Sequence, residues 1–207
     1  MTDFLVALAP ANGAFVYLAS QSPRRRELLE QIGIEYRVLD VEVDEAWRPG
    51  ETPQKYACRL ARDKAAAGRE QLVKDELKAA PVLGADTCVV VDDEVLGKPA
   101  DREHGIGMLS QLAGRTHEVV TGIAIASGPT MYDAVSVSRV RMADLSRRDI
   151  EQYWDSGEPE GKAGAYGIQG LAGAFVSHIE GSYSGVVGLP LYELVGLLNQ
   201  LRSGSGE

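Results

Sequence analysis

The chain has 207 residues, of which 44% are hydrophobic and 25% charged, with a formal net charge of −9 and two cysteines. The length suits one domain with a sizeable core, and the acidic balance excludes a general nucleic-acid surface, which needs a basic face. Cys58 and Cys88 form neither a metal-ligand spacing nor a disulfide framework, and both sit in apolar-patterned segments as small buried hydrophobes.

In chain order, no Lys or Arg precedes Arg24, so residues 1–15 lack the basic region of a signal peptide. No apolar run can span a bilayer, and a cytoplasmic protein is expected. Residues 16–19 form a short apolar strand that feeds Ser20-Gln21-Ser22-Pro23-Arg24-Arg25-Arg26. Ser22 suits an N-cap and Pro23 the first position of a helix running to about residue 32. The free N–H groups and the helix dipole favour an anion there, and the arginines add donors that match phosphate oxygens. A solvated basic turn fits three arginines as well. Successive helical residues point about 100° apart, so all three cannot face one ligand.

Residues 35–43 read as a strand leading into Glu42-Val43-Asp44-Glu45. Thr52 and Pro53 then start a long helix with Tyr56, Ala57, Leu60, Ala61 and Ala65 at helical spacing and Lys64 one turn beyond Leu60. Residues 82–91 read as a buried strand with Asp86 in its middle, where an ionised carboxylate needs a partner. Asp92-Asp93-Glu94 turns the chain into a hairpin that brings Lys98 near the strand of Asp86. A helix over 101–112, strands over 118–126 and 131–142, and a helix over 145–154 capped by Asp144 or Ser146 follow. Residues 157–170 are dense in glycine, which marks special backbone or close approach to a ligand. A strand over 175–179, a closing helix over 191–201 and a flexible tail over 203–207 complete the chain. The expectation is an α/β protein of one domain over 1–207, its core at 15–202, with two lobes around a cleft.

Ser20, Arg24, the acids at 42–45, Asp86, Thr87 and Lys98 are polar groups that their apolar neighbours do not explain. Cleaving a phosphoanhydride needs cations on the polyphosphate, carboxylates for a divalent metal and a base to orient water, and this set supplies all three. Carboxylates and hydroxyls rather than thiolates and imidazoles point to magnesium or manganese. Asp44 and Glu45 also fit a solvated strand end, Lys64 and Lys98 ordinary surface lysines, and Asp86 a structural ion pair with Lys98 or an arginine. His104, His117 and His178 are scattered and carry no assigned chemistry, and no serine-hydrolase elbow is present.

The run 20–25, Gly84-Ala85-Asp86-Thr87, Gly97-Lys98-Pro99 and the runs 162–170 and 181–190 occur in this order. From about residue 17 to 201 the chain closely resembles the Maf family of nucleoside triphosphate pyrophosphatases. The resemblance implies a mixed, elongated sheet flanked by helices, similar to the inosine triphosphate pyrophosphatase fold. It implies metal-dependent hydrolysis between the α and β phosphates, giving a monophosphate and pyrophosphate. The catalytic aspartate falls on Asp86, as proton acceptor, metal ligand or both, and its acidic metal partner on Asp44. The phosphate-binding residues fall on Ser20, Arg24, Lys64 and Lys98, and a further acid near the site on Asp101.

Gly-Ala-Asp-Thr at 84–87 and Tyr-Gly-Ile-Gln-Gly at 166–170 resemble the dTTP/UTP branch, whose specificity residues fall on Arg24, Thr87 and Gln169. The branch acting on 7-methyl-GTP typically carries a different residue after the aspartate. The Gln169 amide offers a donor and an acceptor that match the O4/N3 edge of uracil or thymine. Modified pyrimidine triphosphates are further expected substrates, and family analogy adds a homodimer. Gly185 departs from the pattern, standing where many relatives have asparagine or another polar residue. The alternative is a non-catalytic nucleotide-binding regulator of cell division, after the family's association with septum formation. Such a protein has no need to keep Asp86, Lys98 and the metal-side acids together.

Overall fold

The computed structural model describes residues 15–204; residues 1–14 of the N-terminal stretch read above and residues 205–207 of the expected tail lie outside the described residues. The strands are β1 (Val16–Ala19), β2 (Tyr36–Val38), β3 (Val82–Val91), β4 (Glu94–Leu96), β5 (Thr116–Ser127), β6 (Thr130–Met142) and β7 (Val176–Glu180). The helices are α1 (Pro23–Gln31), α2 (Pro53–Lys74), α3 (Arg102–Leu112), α4 (Arg147–Asp155), α5 (Tyr183–Val187) and α6 (Leu191–Gly204). The sheet runs β2-β1-β3-β5-β6-β7, with β4 paired to β3. β1 is parallel to β2 and β3, while β4 and β7 pair antiparallel, so the sheet is mixed as expected. The chain divides into two compact units: one holds the described residues up to Asp86 with 121–136 and those from Gly188 on, the other 87–120 and 137–187.

In the first unit, Phe15, Tyr17, Ala19, Leu39, Ala61, Ala65, Leu72, Val82, Ala124 and Ala126 form a core cluster. Thr52 caps α2 by accepting from the Lys55 N–H, and Pro53 sits in the first turn. The buried stripe Ala57, Leu60, Ala61, Ala65, Gly68 and Leu72 turns one face of α2 to the sheet. The approach is close enough to exclude side chains. A Cβ on Gly84 would lie 2.2 Å from the Ala61 carbonyl oxygen, and one on Gly122 2.4 Å from that of Ala57. β2 stops at Val38, well short of the expected residue 43. Leu39 still donates to the Leu18 carbonyl at 2.9 Å and Val41 still packs on the core, but the polar run 42–45 has little to bury and leaves the sheet.

In the second unit, Asp92 and Asp93 both adopt left-handed φ (52° and 63°), which suits the tight β3–β4 hairpin. Arg115 pins the turn at 2.5 Å from the Asp92 carboxylate. Ser146, not Asp144, caps α4, in a capping box with Asp149. α6 continues through 203–204, where a flexible tail was expected. Cys88 is buried as expected, whereas Cys58, in the first unit, is half-buried and donates to Asp133 Oδ2 at 3.1 Å. Burial, reinforced by Asp133, pushes the Cys58 thiol up to about 11, which keeps it unreactive.

His117 lies in the core of the second unit, 2% exposed, with Nε2 2.8 Å from the Tyr166 hydroxyl and Nδ1 without a hydrogen-bond partner. Burial pushes its pKa down to about 4 and raises that of Tyr166.

Two predictions follow from these packings. Gly84→Ala should destabilise by about 2 kcal/mol or more, because helix backbone must move, while Gly107→Ala, with nothing within 4 Å, should be neutral or slightly stabilising; urea midpoints measure both. Since native His117 resists protonation, the unfolded chain takes up the extra proton between its ordinary pKa of 6.5 and about 4. Its contribution is complete above pH 6.5 and falls away as the pH drops towards 4, by about 3 kcal/mol at most. Urea midpoints of the wild type and His117→Gln across this range should converge towards low pH.

Candidate active site

β3 carries Asp86, whose side chain is 14% exposed, as the last residue of the first unit's N-terminal segment. Lys64, on α2, donates to Asp86 Oδ1 at 2.7 Å and stands 2.7 Å from Glu45 Oε1. One ammonium is therefore shared by two carboxylates. α2 also holds the loop that delivers Glu45. The Tyr56 hydroxyl donates to the Glu45 carbonyl at 2.9 Å and Arg59 Nη2 to the Ala46 carbonyl at 3.0 Å. Arg59 grips both oxygens of Glu51 at 2.5 and 2.9 Å, holding that carboxyl down to about 2, and Trp47 stacks on Tyr56 at 4.8 Å.

The arginine turn resolves into three different environments. Arg25 is 9% exposed because it shares a helix face with Leu28 and Leu29, three and four residues on. Its Nε donates to the Gly188 carbonyl and its Nη1 to Ser20 Oγ, each at 2.8 Å. Burial lowers its pKa, with the fields of Asp86 and Glu45 opposing and that of Arg24 assisting. Arg24 is half-buried and also lowered by burial, with Glu27 opposing. Arg26 Nη2 donates to the Gln21 carbonyl at 2.8 Å. Ser22 holds the N-cap position without a side-chain cap, and its N–H donates to Ser20 Oγ at 3.3 Å. Ser20 Oγ thus accepts two hydrogen bonds, which leaves its O–H to offer an incoming oxygen.

Ser20, Arg24, Asp44, Lys64 and Asp86 fall in the first unit, and Thr87, Lys98, Asp101 and Gln169 in the second. The partner of Asp86 is Lys64, where Lys98 or an arginine had been the alternatives. Asp44 is exposed and its Oδ1 accepts the Ala46 N–H at 2.9 Å, while its neighbour Glu45 is the carboxylate that reaches Lys64. Lys98 is exposed two residues past β4, and Asp101 caps α3 by accepting the His104 N–H at 2.9 Å. Gln169 is exposed in a turn closed by Gly170 N–H donating to the Gly167 carbonyl at 3.0 Å. The residue pattern names the acids at 42–45 together and the resemblance points to Asp44, whereas Glu45 is the one that reaches Lys64. Arg25 stands in the arginine run without a site role of its own, though its spacing to Leu28 and Leu29 marks a buried face.

Among the described residues no group of three or more His, Cys, Asp or Glu side chains forms a metal cluster. The two carboxylates converging on Lys64 are nonetheless hard oxygen donors around a cationic centre. Magnesium fits such a set, since it is held by one or two carboxylates and completed by substrate phosphates and water.

The chain matches the family described as "Maf-like protein" over residues 15–201. It is 54% identical over 202 residues to the dTTP/UTP pyrophosphatase of Bordetella parapertussis, covering 96% of both chains. To the dTTP/UTP pyrophosphatase of Alkalilimnicola ehrlichii it is 50% identical, over 94% of this chain and 96% of that one. Of the solved structures, that of the Staphylococcus aureus Ham1 protein matches with a TM-score of 0.44 and 16% identity, covering 62% of this chain and 72% of that one.

Proposed function

Because the chain belongs to the Maf family, we propose that it is a nucleoside triphosphate pyrophosphatase that hydrolyses dTTP and UTP to the monophosphate and pyrophosphate. The observation that carries this reading at the level of chemistry is Asp86 on Lys64, with a second carboxylate, Glu45, on the same ammonium. The match runs through both compact units, which supports treating the chain as one domain.

Asp86 accepts the proton of the attacking water and orients it, with Lys64 fixing the carboxylate. The water oxygen bonds to the α-phosphorus, and the bond from that phosphorus to the bridging oxygen breaks in line, releasing pyrophosphate. The Ser20 hydroxyl, Arg24 and Lys98 bind phosphate oxygens, and Arg25 anchors Ser20 from the buried side. A magnesium or manganese ion, held by Asp86 with Glu45 or Asp44, would neutralise phosphate charge and polarise the reacting phosphoryl group. Arg24, Thr87 and Gln169 select the base, with the Gln169 amide on the pyrimidine edge. A homodimer and a cytoplasmic location belong to the same reading by family analogy. No helix of the described residues is long and apolar enough to cross a membrane.

Pyrophosphate release from dTTP, UTP, CTP, ATP, GTP and 7-methyl-GTP with magnesium or manganese tests the reading. Release should be fastest from dTTP and UTP, vanish with EDTA, and fall at least about 100-fold in Asp86→Asn with an unchanged urea midpoint. No release from any nucleotide by folded protein would favour the regulator. Gln169→Ala should reduce the preference for UTP over CTP about tenfold, the scale of one good hydrogen-bonded contact, while metal dependence stays as in the wild type.

A further inference from the structure

Two side chains of the second unit, unused by the chemistry above, close on the segment that carries Gln169. The Tyr153 hydroxyl donates to Glu158 Oε1 at 2.7 Å and accepts the Gly167 N–H at 3.1 Å. Glu158 Oε2 accepts the Leu171 N–H at 2.7 Å, and Oε1 the Ala172 N–H at 3.3 Å. A Cβ on Gly170 would lie 2.1 Å from Glu158 Oε2, so the absent side chain there lets the carboxylate close on the main chain. Tyr153 is itself fixed, buried and edge-on to Phe175 at 5.2 Å. Burial pushes the Glu158 carboxyl up, but hydrogen bonds from Tyr153, Leu171 and Ala172 outweigh it and hold the group below its ordinary value. Between the gripped amides, Ile168 is buried and Gln169 is exposed.

We propose that Glu158 and Tyr153 are positioning residues for base discrimination, holding the main chain on both sides of Gln169 so that its amide meets the nucleobase in one orientation. This rests on Gln169 as the base-reading residue argued above. Discrimination by a polar contact depends on holding that contact in place, and a misplacement of about 1 Å is enough to lose it. The carboxylate suits the task because it only accepts, and every group it faces here donates. Glutamine at 158 would keep the shape but turn one accepting oxygen into an NH2 against those donors.

The test combines E158Q, Y153F, Q169A and the double variant E158Q/Q169A, with urea midpoints to establish folding. In E158Q the preference for UTP over CTP should fall about tenfold through a raised KM for UTP, with kcat within about threefold of the wild type. The double variant should discriminate no worse than Q169A, since both changes remove one effect. Y153F should show a smaller loss in the same direction. Hydrogen exchange at the amides of Gly167, Leu171 and Ala172 should quicken in E158Q, a readout that needs no turnover. Unchanged preference in E158Q, additive losses in the double variant, or unaltered exchange would each overturn the proposal. An inactive wild type would instead defeat the reading of function, leaving the exchange data to judge the grip alone.

Discussion

The first unit depends on one steric condition: α2 lies against β3 and β5 at points where the strands have no side chain. Gly84 meets the backbone of Ala61 and Ala65, and Gly122 that of Ala57 and Cys58. Lys64 is the residue before Ala65 and Asp86 is two residues after Gly84, so the closest contact between helix and strand sits beside the pair it brings together. The same helix supplies Tyr56 and Arg59, which hold the loop carrying Glu45. A single packing contact thus sets the reach of both carboxylates to one ammonium.

That ammonium is a poor candidate for a stabilising device. Desolvating an ion pair offsets much of its Coulombic gain, and a like pair of carboxylates on one cation adds repulsion. Arg25 is arranged on the same logic. Its hydrogen bonds include one to a carbonyl and one to a hydroxyl, and the charges of Asp86 and Glu45 act on it favourably. Charges gathered at such expense fit a role in binding a charged ligand better than one in holding the fold.

Local signals were legible where the physics is local. The Ser-Pro helix start, the Thr52 cap, the Asp-Asp hairpin and the strands β5 and β6 each follow from spacing and residue type, and the structure has them close to where the pattern placed them. β2 was read too long because Val41 and Val43 look like strand residues, whereas pairing ends when the intervening acids have nothing to bury against. Which of Asp44 and Glu45 reaches Lys64 is not legible in the sequence, because adjacent acids differ only in which way the chain turns them. The hydrogen bonds of Glu158 were hidden for a related reason: they run to main-chain amides, which leave no mark in residue identity.

Gripping by main chain has a consequence for how this protein can diverge. Glu158 and Tyr153 contact N–H groups that every residue but proline possesses, and Gln169 is exposed in a turn where its neighbour Ile168 is buried. The scaffold is therefore indifferent to what occupies position 169. Mutation can sample other side chains there with little stability penalty, so, on the proposal that Gln169 reads the base, that choice is open to drift and selection while the surrounding architecture stays under constraint.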